Sequence, residues 1–261
     1  MLSHLLVLAL VGAMIWAGVW QLNRLNERQD QNARIELRSA VLSADIADLV
    51  PADAAMTIGE ELQYSRVEAT GTFDRGAEVL VRNRPLEGGP GRWILSPLVL
   101  DDGRAVIVNR GWIPNSLGPE QPRPDADPPA GRVTVAGFVR PTETATGLQV
   151  DDPEDGVLTT VARPNIARLD QQTPYKLLPL FIQMESVEPP GGALPLPLEL
   201  PPLDNGPHLS YAAQWFIFTT IALVGYPLIL RRVAQGRARS LEEATEAEVD
   251  LAAPQRETVE A

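Results

Sequence analysis

Apolar residues are concentrated in two runs, one near each end of the chain. Residues 2–22 and 211–230 contain no Asp, Glu, Lys or Arg. At about 1.5 Å per residue, a helix of either length approaches the roughly 30 Å thickness of a bilayer's hydrocarbon core. We predict transmembrane helices over residues 2–22 and 209–230. The first is expected to stay uncleaved, because no basic residue precedes it and no A-x-A site ends it.

Between these runs the hydrophobic pattern changes from helical to strand-like. Apolar positions between Leu22 and Leu49 recur at helical spacing, which predicts a helix that leaves the membrane and ends near Pro51. Runs of branched and aromatic residues then predict strands over 67–73, 77–82, 93–100, 104–108, 133–139 and 181–187. Residues 101–103, Asp-Asp-Gly, predict a hairpin, since Asp-Gly tolerates the positive φ angles of such turns.

Three further segments complete the central region, residues 23–207. A short helix is expected over 166–169, and the six prolines of residues 114–131 predict a surface excursion without regular structure. Residues 189–207, the return segment, are rich in proline and leucine, which predicts an extended linker leading back to the membrane. The predicted fold class is a membrane protein with two transmembrane α-helices, N- and C-terminal, flanking a mainly antiparallel β (α+β) extracytoplasmic domain.

Arginines beside the two helices predict the orientation of the chain. Four follow the first helix (Arg24, Arg28, Arg34, Arg38) and four follow the second (Arg231, Arg232, Arg237, Arg239). The region between the helices far exceeds the roughly 60 residues to which the positive-inside rule applies, so the second group decides. Both termini are therefore expected in the cytoplasm, with the chain in the cell (inner) membrane. Residues 231–261 are expected to be a disordered cytoplasmic tail.

Charge and composition narrow the classes of partner. The formal net charge is −12 and the chain has no cysteine. Overall acidity excludes nucleic acid as a partner, because binding to phosphates relies on a basic surface. Without cysteine, the central domain has neither disulfides nor thiolate metal sites and must be stable through its own core.

Histidine is scarce, which limits the chemistry available. Only His4 and His208 are present, and antiparallel helices place them on opposite sides of the membrane. No nucleophile elbow, phosphate loop or zinc motif is present, so we predict no catalytic residue and no metal site. Two interpretations of His208 stay open: an interfacial polar residue, or an axial ligand for haem iron between two helix ends.

Other polar and aromatic residues are candidates for packing or for partner contacts. Gln214 lies inside the second apolar run and is predicted to bond to Gln21 or Asn23 on the first helix. Arg82 and Arg84 are either surface ion pairs or contacts for an acidic partner or haem propionates. Aromatics near the helix ends are expected to form a membrane belt and to pack between helices: Trp20, Tyr211 and Trp215.

Several motifs together resemble the surfeit locus protein 1 family, whose members are membrane factors that assist assembly of cytochrome c oxidase. Two blocks lie at the helix ends, Gly18-x-Trp20-Gln21-x-x-Arg24 and Pro207-His208-Leu209-Ser210-Tyr211-Ala212-x-Gln214-Trp215-Phe216. The central region adds Val67-x-x-x-Gly71-x-Phe73, Val81-x-Asn83-Arg84, Gly88–Gly91, Pro97, Val106-x-Val108-Asn109-Arg110-Gly111-Trp112-Ile113-Pro114 and Pro174-Tyr175.

The resemblance implies a function, a cofactor and partners. It implies that the chain, as a bacterial member of that family, assists maturation of the oxidase catalytic subunit, with that subunit, haem a synthesis enzymes and membrane lipid as partners. It also implies haem a binding with His208 as the ligand, although Gly206-Pro207 stands where relatives often have Asn-Asn or Asn-Asp. The residues expected to contact partners or to pack helices are Trp20, Gln21, Arg24, Arg110, Gly111, Trp112, Tyr211, Gln214 and Trp215.

Two alternative functions are kept. The chain could be a scaffold that clamps oxidase subunits or other membrane partners and binds no cofactor. A membrane-tethered hydrolase would need a nucleophile and a base clustered in the central domain, but the nearest histidine, His208, follows that domain at the membrane edge. We therefore expect a protein that is not an enzyme.

Overall fold

A computed structural model describes residues 2–118 and 124–252, and side chains only as far as residue 244. It divides into two compact units. The helical unit contains Met1–Asp30 and Asp204–Ala261, and the sheet domain contains Gln31–Leu203.

The secondary structure is mostly that predicted. The helices are α1 (Leu2–Ser39), α2 (Ile46–Leu49), α3 (Ile58–Glu61), α4 (Ile166–Asp170) and α5 (His208–Ala252). The strands are β1 (Ala44–Asp45), β2 (Arg66–Phe73), β3 (Val79–Val81), β4 (Gly91–Leu100), β5 (Ala105–Pro114), β6 (Arg132–Pro141), β7 (Thr160–Val161) and β8 (Leu177–Glu188). Six of these strands and α4 were predicted. Strands β1 and β7, with two residues each, were not.

Helices α1 and α5 are both long and apolar enough to cross a membrane. They are antiparallel, because residues near the start of α1 meet residues in the middle of α5, and residue 21 meets residue 208. The best-shielded positions on each helix are spaced alternately by three and four residues, the heptad spacing of helices that pack with knobs in holes. This seam consists of Val11, Met14, Gly18, Gln21 and Leu25 on α1, and His208, Ala212, Trp215, Thr219, Ala222 and Tyr226 on α5.

Both helix ends differ from the predictions. Helix α1 ends at Ser39 rather than near Pro51, and Asp45 then caps the separate helix α2 by accepting a hydrogen bond from Ala47 N. Helix α5 continues to Ala252, so the prediction of disorder is wrong over residues 231–252. That stretch is rich in Ala, Arg and Glu, which favour helix and outweigh its charge. Residues 253–261, the rest of the predicted tail, lie outside the described residues.

The sheet domain is built on a closed ring of strands. Pairing runs β2–β6–β8–β5–β4 and returns to β2 through Gly71–Phe73 against Leu98–Leu100. Closure depends on Gly71, because a Cβ there would lie 2.2 Å from Val99 O. Pairing within the ring is mainly antiparallel, as predicted, but β5 and β8 pair in parallel.

The five ring strands enclose the larger core. Alternate residues of each strand point inward and are almost fully buried, among them Val67, Leu98, Val108, Val135 and Ile182. Ile46 and Val50 of the α2 region join this core. A second core lies on the other face of β5 and β8, where β7 and α4 cover it with Val161, Ile166 and Leu169.

Of the predicted loops, the turn and the return segment are found, whereas the 114–131 excursion is partly internal, since Pro114 ends β5 and Ala126 is 1% exposed. Gly103 has φ 83° at the turn between the antiparallel strands β4 and β5, which confirms the Asp-Gly hairpin. Residues 114–131 contain two single 3-10 turns, Asn115–Leu117 and Pro124–Ala126, and residues 119–123 of this excursion lie outside the described residues. The return segment is extended and docks on β5, where Leu196 and Trp112 exchange two backbone hydrogen bonds of 2.8 Å.

Candidate functional site

His208 begins α5 and is held by a turn that the preceding residues form. The backbone N–H of Gly206 donates to Asp204 Oδ1 at 2.9 Å, and Gly206 has φ 60°, in the left-handed region. Pro207 O then accepts from the Ser210 hydroxyl at 2.7 Å and from Tyr211 N at 3.1 Å. Hydrogen bonds formed by residues before and after His208 therefore fix the start of α5, and the imidazole projects from its first residue.

Gln21 contacts the imidazole of His208. Their side chains are joined by a hydrogen bond of 2.9 Å between Gln21 Oε1 and His208 Nδ1, and both residues are half-buried. Both belong to the seam, at the point where α1 meets the beginning of α5. The helix-end blocks singled out in the sequence are thus brought into direct contact.

Gly206 lies beside the Cδ2–Nε2 edge of the ring. A Cβ at this residue would lie 3.3 Å from His208 Cδ2 and 3.4 Å from His208 Nε2. A side chain at position 206 would therefore contact this edge of the imidazole. Of the two ring nitrogens, only Nδ1 has a hydrogen bond among the described residues.

Gly18 brings the same two blocks together one turn away. A Cβ at Gly18 would lie 2.9 Å from the ring of Phe216, so the absent side chain lets that ring rest on α1. Ala212 is almost fully buried beside it in the seam. Close approach of two helices at small residues is a common way to pack them in membranes.

The second histidine lies at the opposite end of the seam. His4 Nδ1 is 2.7 Å from the hydroxyl oxygen of Tyr226, and the two rings meet edge to face. His4 and Gln21 are roughly 25 Å apart along α1 at 1.5 Å per residue. The prediction that His4 and His208 do not share a site is confirmed.

The remaining predicted residues at the helix ends are mostly exposed. Trp20 and Tyr211 are about half exposed, and Arg24 pairs on the surface with Glu27 at 2.6 Å. Trp215 lies in the seam and contacts the ring of Phe218 edge to face. Gln214 is exposed, and among the described residues it has no hydrogen bond to Gln21 or Asn23, so the predicted bond is wrong. Gln21 bonds instead to His208, because seam spacing places position 208 inward and position 214 outward.

Arg110 is an internal residue of the sheet domain, not a contact for a partner or a helix. Its side chain is 2% exposed and pairs with Glu78, 5% exposed, at 2.7 Å. It also donates to Ser96 Oγ at 2.9 Å and to Ala126 O at 2.7 Å. Burial lowers the pKa of Arg110 to about 10, with Asp127 raising it and Arg75 lowering it, so the guanidinium remains charged at neutral pH.

Gly111 and Trp112 hold the return segment on β5. Gly111 has φ 129°, and a Cβ there would lie 2.2 Å from Leu196 O. Trp112 is 8% exposed and its indole N–H donates to Arg84 O at 2.6 Å. Both residues serve the interior of the sheet domain.

Arg82 and Arg84 are in ion pairs, as one of their two interpretations required. Arg82 pairs with Asp152 at 3.1 Å, and Arg84 pairs with Glu143 at 2.9 Å. Arg84 also stacks on Trp93, with its guanidinium carbon 4.0 Å from the ring centre. Each arginine that lines the polar pocket of about 510 Å³ beside them forms an ion pair with a carboxylate.

Metal chemistry has no visible site in the part of the chain that the structure describes. Over residues 2–118 and 124–252, no three His, Asp or Glu residues are grouped so that they could hold a metal ion. The distinctive arrangement is instead the seam end, where among the described residues the imidazole of His208 is hydrogen-bonded through Nδ1 and not through Nε2.

Comparison with known proteins gives a consistent family. The SURF1 family model matches residues 8–220. An uncharacterized SURF1-like protein of Mycobacterium bovis is 29% identical over 225 residues, which are 86% of this chain and 80% of that protein. SURF1-like proteins of Monosiga brevicollis and Rickettsia felis are 28% and 25% identical, covering 82% and 89% of this chain and 82% and 99% of their own lengths.

Proposed function

Because this chain belongs to the SURF1 family, we propose that it assists maturation of the cytochrome c oxidase catalytic subunit by holding haem a through His208. Membership of the family implies a role in cytochrome oxidase assembly, and the two apolar helices make the chain a membrane protein. The proposal adds haem a as cargo. It also adds orientation in the cell membrane, with both termini cytoplasmic and the sheet domain outside.

The observation that carries the proposal is the meeting of the two helix-end blocks. Gln21 bonds to His208, and Gly18 receives the ring of Phe216. The blocks are nearly two hundred residues apart in sequence, yet both lie on one seam. Family blocks of the sheet domain, by contrast, contain Gly71, which allows ring closure, and Gly111 and Trp112, which hold the return segment.

The side chains at this seam end fit haem as cargo. Neutral imidazole is a common axial ligand for haem iron, and among the described residues His208 Nε2 makes no hydrogen bond. Apolar side chains of the helices, such as Phe216 and Trp20, suit the faces of a porphyrin. The other histidine of the chain lies at the far end of the seam. The protein therefore offers one imidazole, and haem would be attached through that ligand alone. Such attachment favours transfer over permanent retention.

The oxidase catalytic subunit is the proposed recipient, with haem a synthesis enzymes as the proposed donors. The test of this role is deletion of the gene in a host that makes haem a, followed by measurement of assembled oxidase in its membranes. We expect oxidase haem a absorbance to fall on deletion and to return with the wild-type chain. Unchanged oxidase in the deletion strain would overturn the assembly role.

The cargo itself is tested on purified protein from cells that make haem a. We expect wild-type protein to carry a haem a absorption spectrum, and His208→Ala to lose it because the iron ligand is removed. His4→Ala is the matched control and should keep the spectrum, since His4 bonds to Tyr226 at the other end. Wild-type protein without haem a, in a strain whose oxidase depends on the chain, would favour the cofactor-free scaffold.

A further inference from the structure

We infer that Gln21 is a positioning residue that sets the tautomer of His208 and leaves His208 Nε2 free to bind iron. The inference rests on the proposed function, because it assigns Gln21 a role toward the same cargo. Its observation is the 2.9 Å contact between Gln21 Oε1 and His208 Nδ1. The sequence predicts Gln21 only as a partner contact or a helix-packing residue.

The chemistry of the two groups determines the position of the proton. An amide oxygen only accepts hydrogen bonds, so the nitrogen that faces it must carry the hydrogen. A neutral imidazole has one ring hydrogen, and placing it on Nδ1 leaves the lone pair on Nε2. In water the hydrogen prefers Nε2, which would block that nitrogen as a ligand. Gln21 therefore selects the tautomer that can bind a metal.

The setting holds Gln21 in place. Its side chain is half-buried at a seam position, one turn after Gly18, where the ring of Phe216 fixes the register of the two helices. The Cδ2–Nε2 edge lies beside Gly206, where a Cβ would contact it. The ring is thus hydrogen-bonded through Nδ1, and Nε2 is the nitrogen available as a ligand. A hydrogen bond to the second nitrogen is the usual way in which proteins orient a metal-binding histidine.

The alternative to this hydrogen bond is a rotated Gln21 amide. If the Gln21 amide were rotated, its NH₂ would donate to Nδ1, and the ring hydrogen would sit on Nε2. Gln21→Glu separates the two cases, because a carboxylate has the same shape and cannot donate. Gln21→Leu removes the hydrogen bond altogether. Gln214→Leu is the matched control, since Gln214 is exposed on α5.

The test is ¹⁵N NMR of the imidazoles in the full chain, free of haem, in lipid nanodiscs at mildly alkaline pH. The chain has two histidines, so His4→Ala assigns the signals. We expect Nδ1–H in the wild type, in Gln21→Glu and in Gln214→Leu, and a shift toward Nε2–H in Gln21→Leu. Nε2–H in the wild type, or an unchanged tautomer in Gln21→Leu, would overturn the inference.

Haem retention distinguishes this inference from the proposed function. Loss of a group that orients a metal ligand typically costs about 10–100-fold in affinity, so Gln21→Leu should weaken haem a binding by about that factor. His208→Ala should abolish binding. If the tautomer depends on Gln21 but wild-type protein binds no haem, the positioning of the ring stands and the proposed cargo fails. If haem binds and Gln21→Leu binds it equally well, the positioning role toward the cargo fails alone.

Discussion

Replacing Arg110 by methionine should lower the free energy of unfolding of the sheet domain by about 3–5 kcal/mol, the usual cost of removing one partner of a buried ion pair. The variant would deprive Glu78, 5% exposed, of the cation 2.7 Å away. It would also remove the donors to Ser96 Oγ and to Ala126 O. Methionine fills much of the same volume, so the loss would come from the charge and its hydrogen bonds.

Urea denaturation of the full chain in micelles, followed by tryptophan fluorescence, measures this loss. Arg132→Met is the matched control, because Arg132 pairs with Asp101 on the exposed surface and such pairs add little to stability. Adding Glu78→Gln to Arg110→Met should recover part of the stability, since the buried charge is then removed as well. An Arg110→Met variant as stable as Arg132→Met would contradict the internal role.

Replacing Gly111 by alanine should release the return segment from β5 and destabilise the sheet domain by about 2–5 kcal/mol. The residue has φ 129°, which strains any side chain, and the new Cβ would lie 2.2 Å from Leu196 O. Either the backbone of Gly111 or that of Leu196 must move. The two 2.8 Å hydrogen bonds between Trp112 and Leu196 would then be lost.

Limited proteolysis checks this release, with cleavage sites mapped by mass spectrometry. We expect Gly111→Ala to be cut within the return segment much faster than the wild type. Gly191→Ala is the control in the same segment, because a Cβ there would have an ordinary contact of 3.7 Å with Pro129. Equal resistance of Gly111→Ala and the wild type would show that Gly111 does not hold the segment.

Local patterns in the sequence were enough to predict most elements. Apolar length predicts α1 and α5, runs of branched and aromatic residues predict six strands, and Asp-Gly predicts the turn at Gly103. The parallel pairing of β5 with β8 and the ring closure at Gly71 were not predicted, because they depend on residues far apart in the chain. Local spacing contains no information on such pairing.

Residue roles were harder to predict than elements. The internal role of Arg110 has no local signal in the sequence, because an arginine is usually exposed and this one is buried against Glu78, which precedes β3. The bond between Gln21 and His208 had a signal that was not used. Positions 208, 212, 215 and 219 follow heptad spacing, which places 214 outside the seam. The helix beyond residue 230 was missed because charge was weighed above helix propensity.

The most direct test of the central claim is oxidase assembly in a deletion strain that carries His208→Ala, with membrane levels of the variant matched to the wild type. The claim is that the seam end around His208 is the working site. It predicts that His208→Ala inserts and folds normally but restores little oxidase haem a absorbance, whereas His4→Ala restores it fully. Full restoration by His208→Ala would contradict the claim.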